Sequence, residues 1–249
     1  MVRLLATFAL IAWVCIPLAG CQEVEFSEVR KENTDNSVVN SFGMKFESIP
    51  AGAFTDLDGQ SKEVKSFFLQ NTELTFRQFN EVIAKRDGVA PTHQYQSGES
   101  EGRLPVPINS WNEAYQLAAL LTELDEQYAY RLPTESEWLY ACAGGENIKG
   151  DIARQSVDHR EKGTGWLSPV KSKPANRFGV FDMLSNLGEY CERDNPSDGT
   201  SDAIRLVKGL PTESWPPTFC ITDSKTVPES GTEDLLIGVR FVLNRKAGK

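Results

Sequence analysis

Apolar and polar positions along this chain follow three different patterns. An apolar run from Leu4 to Leu18 follows a single Arg3. That run is shorter than the roughly 20 residues an ordinary spanning helix needs. Residues 22–39, "QEVEFSEVRKENTDNSVV", then lack apolar periodicity and read as a polar tether. Beyond them, helical spacing appears three times, each time behind a Ser or Thr followed three residues later by Glu or Gln, the capping-box signature. Thr75 with Gln78 opens "TFRQFNEVIAK", Ser110 with Glu113 opens "SWNEAYQLAALLTELDEQ", and Thr134 with Glu137 opens "TESEWLYACA". In the second of these, Ala114, Leu117, Ala118, Leu121 and Leu124 form one apolar stripe. In the third, Trp138, Ala141 and Cys142 share a face, which makes Cys142 a buried small hydrophobe, and "AGG" ends the helix. "GMKFESIPAGAF", "KEVKSFFLQ", "IRLVKG" and "LIGVRFVLN" read as strands. Polar loops fill 88–103, 145–168, 193–203 and 221–234. A few helices among short strands and long loops predict a single irregular, loop-rich α+β domain, and no β-α alternation supports a doubly wound sheet.

Charge and composition narrow the function classes. The chain has 249 residues and a formal net charge of −9. That balance argues against non-specific binding of nucleic acid or anionic lipid. Only two histidines exist, His93 and His159, so a three-histidine metal site within the chain is excluded. "GTGW" at 163–166 lacks the Lys-Ser/Thr of a phosphate-binding loop, and there is no Gly-x-Ser-x-Gly elbow. "LPTES" occurs twice, at 132–136 and 210–214, but the second copy has Trp215 where a capping box needs an acid or amide. The echo is chance, not a repeat.

The N-terminal run ends "LAGC" at Cys21. This resembles a bacterial lipoprotein signal, in which the Cys is lipidated and becomes the first mature residue. A plain secretory signal with a chance cysteine is the alternative. The first reading gives a signal peptide over 1–20, a lipidated Cys and tether over 21–39, and one domain over 40–245. Each buried methylene of an acyl anchor contributes about 0.8 kcal/mol. The domain would then be exported and membrane-anchored, facing the periplasm or cell surface. Of the five cysteines, Cys15 leaves with the signal and Cys21 is lipidated, so Cys142, Cys191 and Cys220 remain. One disulfide and one thiol are then allowed, with the pairing open.

Several stretches, in order, resemble the formylglycine-generating enzyme family, also called sulfatase-modifying factor domains. They are "FGMKFESIPAGAF" (42–54), "TELTFRQF" (72–79), "PVPINSWNEAYQLAALL" (105–121), "YRLPTESEWLYACAGG" (130–145), "KPANRFGVFDMLSNLGEY" (173–190), "RLVKG" (205–209) and "IGVRFVL" (237–243). The resemblance implies an irregular α+β fold related to C-type lectins. Within "RLPTESEW", Pro133 precedes the cap Thr134, Glu135 and Glu137 occupy the first helical turn where the dipole favours acids, and Arg131 is free to pair with a carboxylate elsewhere. Together with Trp138, these residues form a structural motif.

The resemblance also implies chemistry, and here the chain departs from it. The family's oxidases convert a sulfatase cysteine to formylglycine with copper and oxygen, using two thiolates spaced Cys-x4-Cys, soft ligands suited to copper(I). No Cys-x4-Cys occurs anywhere in this sequence. The comparable stretch, "KGLPTESWPPTFC", holds Cys220 alone, so Cys220 is at most one ligand and copper is not expected. The family's "GNVWEW" is here "SNLGEY", with Ser185 and Gly188 in place of Gly and Trp. The family's calcium site would carry over onto the side chains of Asp182 and Glu189 and the backbone oxygens of Ser185 and Leu187. Two readings follow: an envelope-anchored domain without oxidase activity, binding or assembling with an envelope protein or ligand, or an active oxidase of sulfatase cysteines. A different enzyme reusing the same pocket is the third.

Overall fold

The computed structural model describes residues 36–56, 59–88, 102–146, 167–194, 206–209, 225–226 and 237–246. Cys21, Cys220 and residues 1–20, read above as a signal, lie outside the described residues. The helices form where the capping signals put them: α1 (Phe76–Asp87), α2 (Trp111–Leu124) and α3 (Glu135–Cys142). The capping boxes of α1 and α3 are complete in both directions. That of α2 is not: the Ser110 side chain accepts from the Glu113 N–H at 3.1 Å, but the Glu113 carboxylate accepts from the backbone and side chain of Asn109 instead. The α3 helix ends as expected, with Gly144 and Gly145 both at positive φ.

Eleven strands accompany these helices among the described residues. A five-stranded antiparallel sheet has the order β1-β2-β5-β11-β6, built from β1 (Val38–Val39), β2 (Lys45–Ile49), β5 (Phe67–Gln70), β11 (Val242–Arg245) and β6 (Tyr128–Arg131). A second sheet has the order β10-β7-β8-β9, from β10 (Ile237–Gly238), β7 (Gly188–Cys191), β8 (Leu206–Lys208) and β9 (Lys225–Thr226). A separate hairpin joins β3 (Gly52–Thr55) to β4 (Ser61–Val64). Val38 pairs with Phe46, so strand pairing reaches into the stretch read as tether.

Two apolar segments that read as single strands each serve two sheets. "KEVKSFFLQ" gives β4 and then β5, and "LIGVRFVLN" gives β10 and then β11. The chain switches sheets across Val239–Phe241, where the Val239 carbonyl accepts from Leu74 N and the Phe241 carbonyl from Gln70 N. The five-stranded sheet is covered on both faces, so alternate residues of one strand enter different cores. Phe241 and Leu243 pack with Met44, Phe46, Leu117 and Leu121 on the side of α1 and α2. Val242 packs with Ile49, Leu69, Phe54 and Trp138 on the side of α3 and the hairpin. This double burial is why "VRFVL" shows no polar alternation.

Candidate functional site

The "RLPTESEW" segment ties α3 to the second sheet. Glu135 N donates to Glu192 O at 2.8 Å, and Glu192 N donates back to Pro133 O at 2.9 Å. Asp194 accepts from both the N–H and the hydroxyl of Ser136, at 2.9 and 2.6 Å. Glu135 pairs with the buried Lys208 on β8 at 2.6 Å. Arg131 finds its carboxylate inside the motif, not elsewhere: it grips Glu137 with two bonds of 2.6 Å, while Glu137 also accepts from Thr134 N. Trp138 has no exposed surface, and its indole N–H donates to Glu189 at 2.6 Å. These bonds fix the motif against the second sheet, and through Trp138 it reaches Glu189.

That centre is a buried ion pair. Glu189, on β7, is 1% exposed, and Arg240, in the β10–β11 switch, is 0% exposed. The guanidinium meets the carboxylate through Nε and Nη2 at 2.6–2.9 Å. It also donates to the carbonyls of Gln70 and Phe181, at 3.2 and 3.0 Å. Two more acids surround it. Glu73, wholly buried, accepts from Leu187 N at 3.0 Å and from the Asn186 side chain at 3.3 Å. Asp182, 8% exposed and at φ 57°, accepts from Lys171 N at 2.7 Å. Burial, and then the neighbouring Glu189, pushes the Glu73 carboxyl well above its ordinary range. Burial likewise raises Asp182.

The four residues carried over as calcium ligands thus lie along one turn and the strand that follows it, in the order Asp182, Ser185, Leu187, Glu189. The carboxylate of Glu189 serves Arg240 and Trp138 first. Among the described residues, no group of three or more His, Cys, Asp and Glu side chains is placed to hold a metal ion. Glu189, Glu73 and Asp182 all act on the one buried guanidinium, and Glu189 is engaged by it directly. The Asp182 carboxylate takes the Lys171 N–H on Oδ2.

The two described thiols are core groups. Cys142 and Cys191 are both buried and form no disulfide with each other. Cys191 has no exposed surface, and its thiol pKa is pushed far up by burial and then by Glu189. A thiol held protonated is a poor soft-metal ligand and a poor nucleophile. Beside them, Gly209 opens "GLPTESWPPTFC" at φ 75°, where a methyl group would stand 2.8 Å from Met183 O and 3.1 Å from the Trp138 ring. Only glycine fits that crossing.

Sequence reasoning did not single out Arg240 or Glu73. Arg240 had a signal: one charge inside "LIGVRFVLN", where a buried strand demands a partner. Glu73, in "NTELTF", stands in an ordinary polar context and has none.

A family model described as the sulfatase-modifying factor enzyme 1-like domain matches residues 26–245. The chain is 30% identical over 130 residues to the Mus musculus protein named inactive C-alpha-formylglycine-generating enzyme 2, covering 45% of this chain and 38% of that one. It is 26% identical over 164 residues to the Mus musculus formylglycine-generating enzyme, covering 53% and 42%. The chain therefore spans less than half the length of these relatives. Among solved structures, Treponema denticola variable protein 1 superposes with a TM-score of 0.57 at 18% identity, over 82% of this chain and 96% of that one. PvdO from Pseudomonas aeruginosa superposes with a TM-score of 0.51 at 22% identity, over 83% and 96%. These likenesses establish the fold, and with the family model spanning nearly all of the described residues, this chain belongs to the sulfatase-modifying factor domain family.

Proposed function

We propose that this chain is an exported, lipid-anchored member of the family that works as a binding or assembly module and not as an oxidase of cysteines. One observation carries the reading: no two cysteines in the sequence are spaced Cys-x4-Cys. A copper(I) oxidase needs two thiolates converging on one metal. Cys220 has no companion at that spacing, and the thiols of Cys142 and Cys191 are committed to the core. That a relative bears the name inactive C-alpha-formylglycine-generating enzyme 2 supports loss of activity as an outcome open to this fold. Copper(I) titration of the purified chain against Cys220→Ser tests it. The reading predicts no tight stoichiometric site that depends on Cys220; tight Cys220-dependent binding revives the oxidase reading.

Two further parts belong to the proposal. Calcium would bind through Asp182 with the carbonyls of Ser185 and Leu187, and Glu189 would contribute only what Arg240 leaves free. Millimolar calcium should raise the melting temperature of the wild type and not of Asp182→Ala. The anchor would be acyl chains on Cys21, with the domain facing the periplasm or cell surface and meeting an envelope protein or ligand there. Mass spectrometry of the mature N-terminus should find Cys21 modified, and an unmodified Cys21 would refute the anchor.

A further inference from the structure

An open cavity of about 700 Å³ lies between residues 41–45, the start of α1, and residues 102–103 and 170–171. Its lining carries four cations, Lys45, Arg77, Arg103 and Lys171, against one carboxylate, Glu81. Such an excess is unexpected in a chain of net charge −9. The cations are only lightly occupied. Lys45 pairs with Glu47 at 2.9 Å, and Lys171 stands over the Phe181 ring at 5.3 Å. Arg77 and Arg103 are exposed and make no ion pair with a described residue.

The helix end adds to this field. Thr75, the N-cap of α1, lines the cavity, and the first turn of α1 contains no acid. Both other helices carry acids there, Glu113 in α2 and Glu135 and Glu137 in α3. Arg77 instead occupies the first turn of α1, where a cation opposes the dipole. The Phe76 and Gln78 N–H groups are already taken by Leu104 O and the Thr75 hydroxyl, so an anion in the cavity would answer Arg77 and the helix dipole through charge. The wall also holds hydroxyl and amide side chains, among them Ser41, Asn71 and Gln78, although the Asn71 amide already donates to Glu47 and the Gln78 amide to Gly43 O.

We propose that this cavity binds a small ligand bearing two or more sulfate or phosphate groups. Four cations from four separate chain segments line the cavity, a charge that suits a ligand with more than one anionic group. Arginine forks suit tetrahedral oxyanions, and the volume lies in the range of small-molecule sites. The acidic remainder of the chain repels a long polyanion beyond the cavity mouth, so the ligand is short and not a nucleic acid. This site is independent of the copper question and of Cys220.

Calorimetry on the full chain at low salt tests the proposal, with inorganic pyrophosphate and a sulfated disaccharide as probes. At least one probe should bind, and Arg77→Ala/Arg103→Ala should weaken it by about tenfold or more. Lys62→Ala/Arg177→Ala, which removes the same charge outside the cavity, should leave affinity within about twofold. Pyrophosphate alone binding points to a phosphate source, and the disaccharide alone to a sulfated sugar; both support the site. Neither probe binding, or equal weakening in the two double variants, overturns it. Tighter binding of a glutamate-rich peptide than of either probe also overturns it, in favour of a protein partner.

Discussion

Replacing Arg240 with methionine should destabilise the domain by about 3–5 kcal/mol, the cost of removing one partner from a buried ion pair. Arg240 has no exposed surface, and Glu189, which it grips, is 1% exposed. Methionine fills much of the volume but leaves Glu189 with only the indole N–H of Trp138, and leaves the carbonyls of Gln70 and Phe181 without that donor. Glu73 and Asp182 also lose the one buried positive charge that acts on both of them. For a domain of this size, each kcal/mol moves the melting temperature by roughly 2–4 °C, so the drop should be roughly 6–20 °C. Arg240→Lys should fall between wild type and Arg240→Met, because an ammonium keeps the charge but not the fork. Circular-dichroism melts, with urea titrations for the free energies, check both. In the double variant Arg240→Met/Glu189→Leu the buried charge is gone, so its loss should be smaller than that of Arg240→Met alone. If Arg240→Met lies within about 1 kcal/mol of wild type, the pair is not the anchor between the two sheets and the reasoning fails.

Other perturbations probe different parts of the account. Gly209→Ala puts a methyl group against Met183 O at a positive φ, and should cost about 1–3 kcal/mol by urea titration; a neutral result means the segment after β8 crosses Trp138 differently. Thr134→Ala removes the α3 cap and should cost about 1 kcal/mol, whereas Thr134→Ser should cost much less. The Glu73 carboxyl is raised on folding, so the folded state holds its proton above the ordinary glutamate value of 4.5. Its contribution to stability is complete below that value and is lost as pH rises through the folded one. In chelator, the melting temperature of Glu73→Gln relative to wild type should therefore climb between acid and neutral pH; a constant difference contradicts the raised value.

Local signals made the helices legible in the sequence. Thr75, Ser110 and Thr134 each announce a helix start that depends only on residues within one turn, and all three helices begin there. The strands were harder, because the sheets are covered on both faces or are very short. "LIGVRFVLN" looks like one strand since nothing local marks the switch between sheets at Val239–Phe241. β7 was missed because Gly188–Cys191 is too short for period-two alternation to show. At the site, Asp182 and Glu189 could be placed on one turn and strand because they are close in sequence. The partner that dominates Glu189 is 51 residues away, and Glu73 is further still. Such long-range electrostatics leave only indirect traces in a single chain, such as a lone arginine among apolar residues. The ring of cations around the α1 start is dispersed over four segments and shows only in three dimensions.

The central claim is that this fold persists here without cysteine oxidation, and turnover tests it most directly. The full chain, loaded with one equivalent of copper(I), would be incubated in air with a cysteine-containing sulfatase peptide, and the peptide followed by mass spectrometry. An active family oxidase run in parallel should convert the cysteine to formylglycine, while this chain leaves it unchanged and consumes no oxygen above the copper-only background. Formylglycine produced by this chain and lost in Cys220→Ser would contradict the account and make Cys220 a catalytic ligand after all.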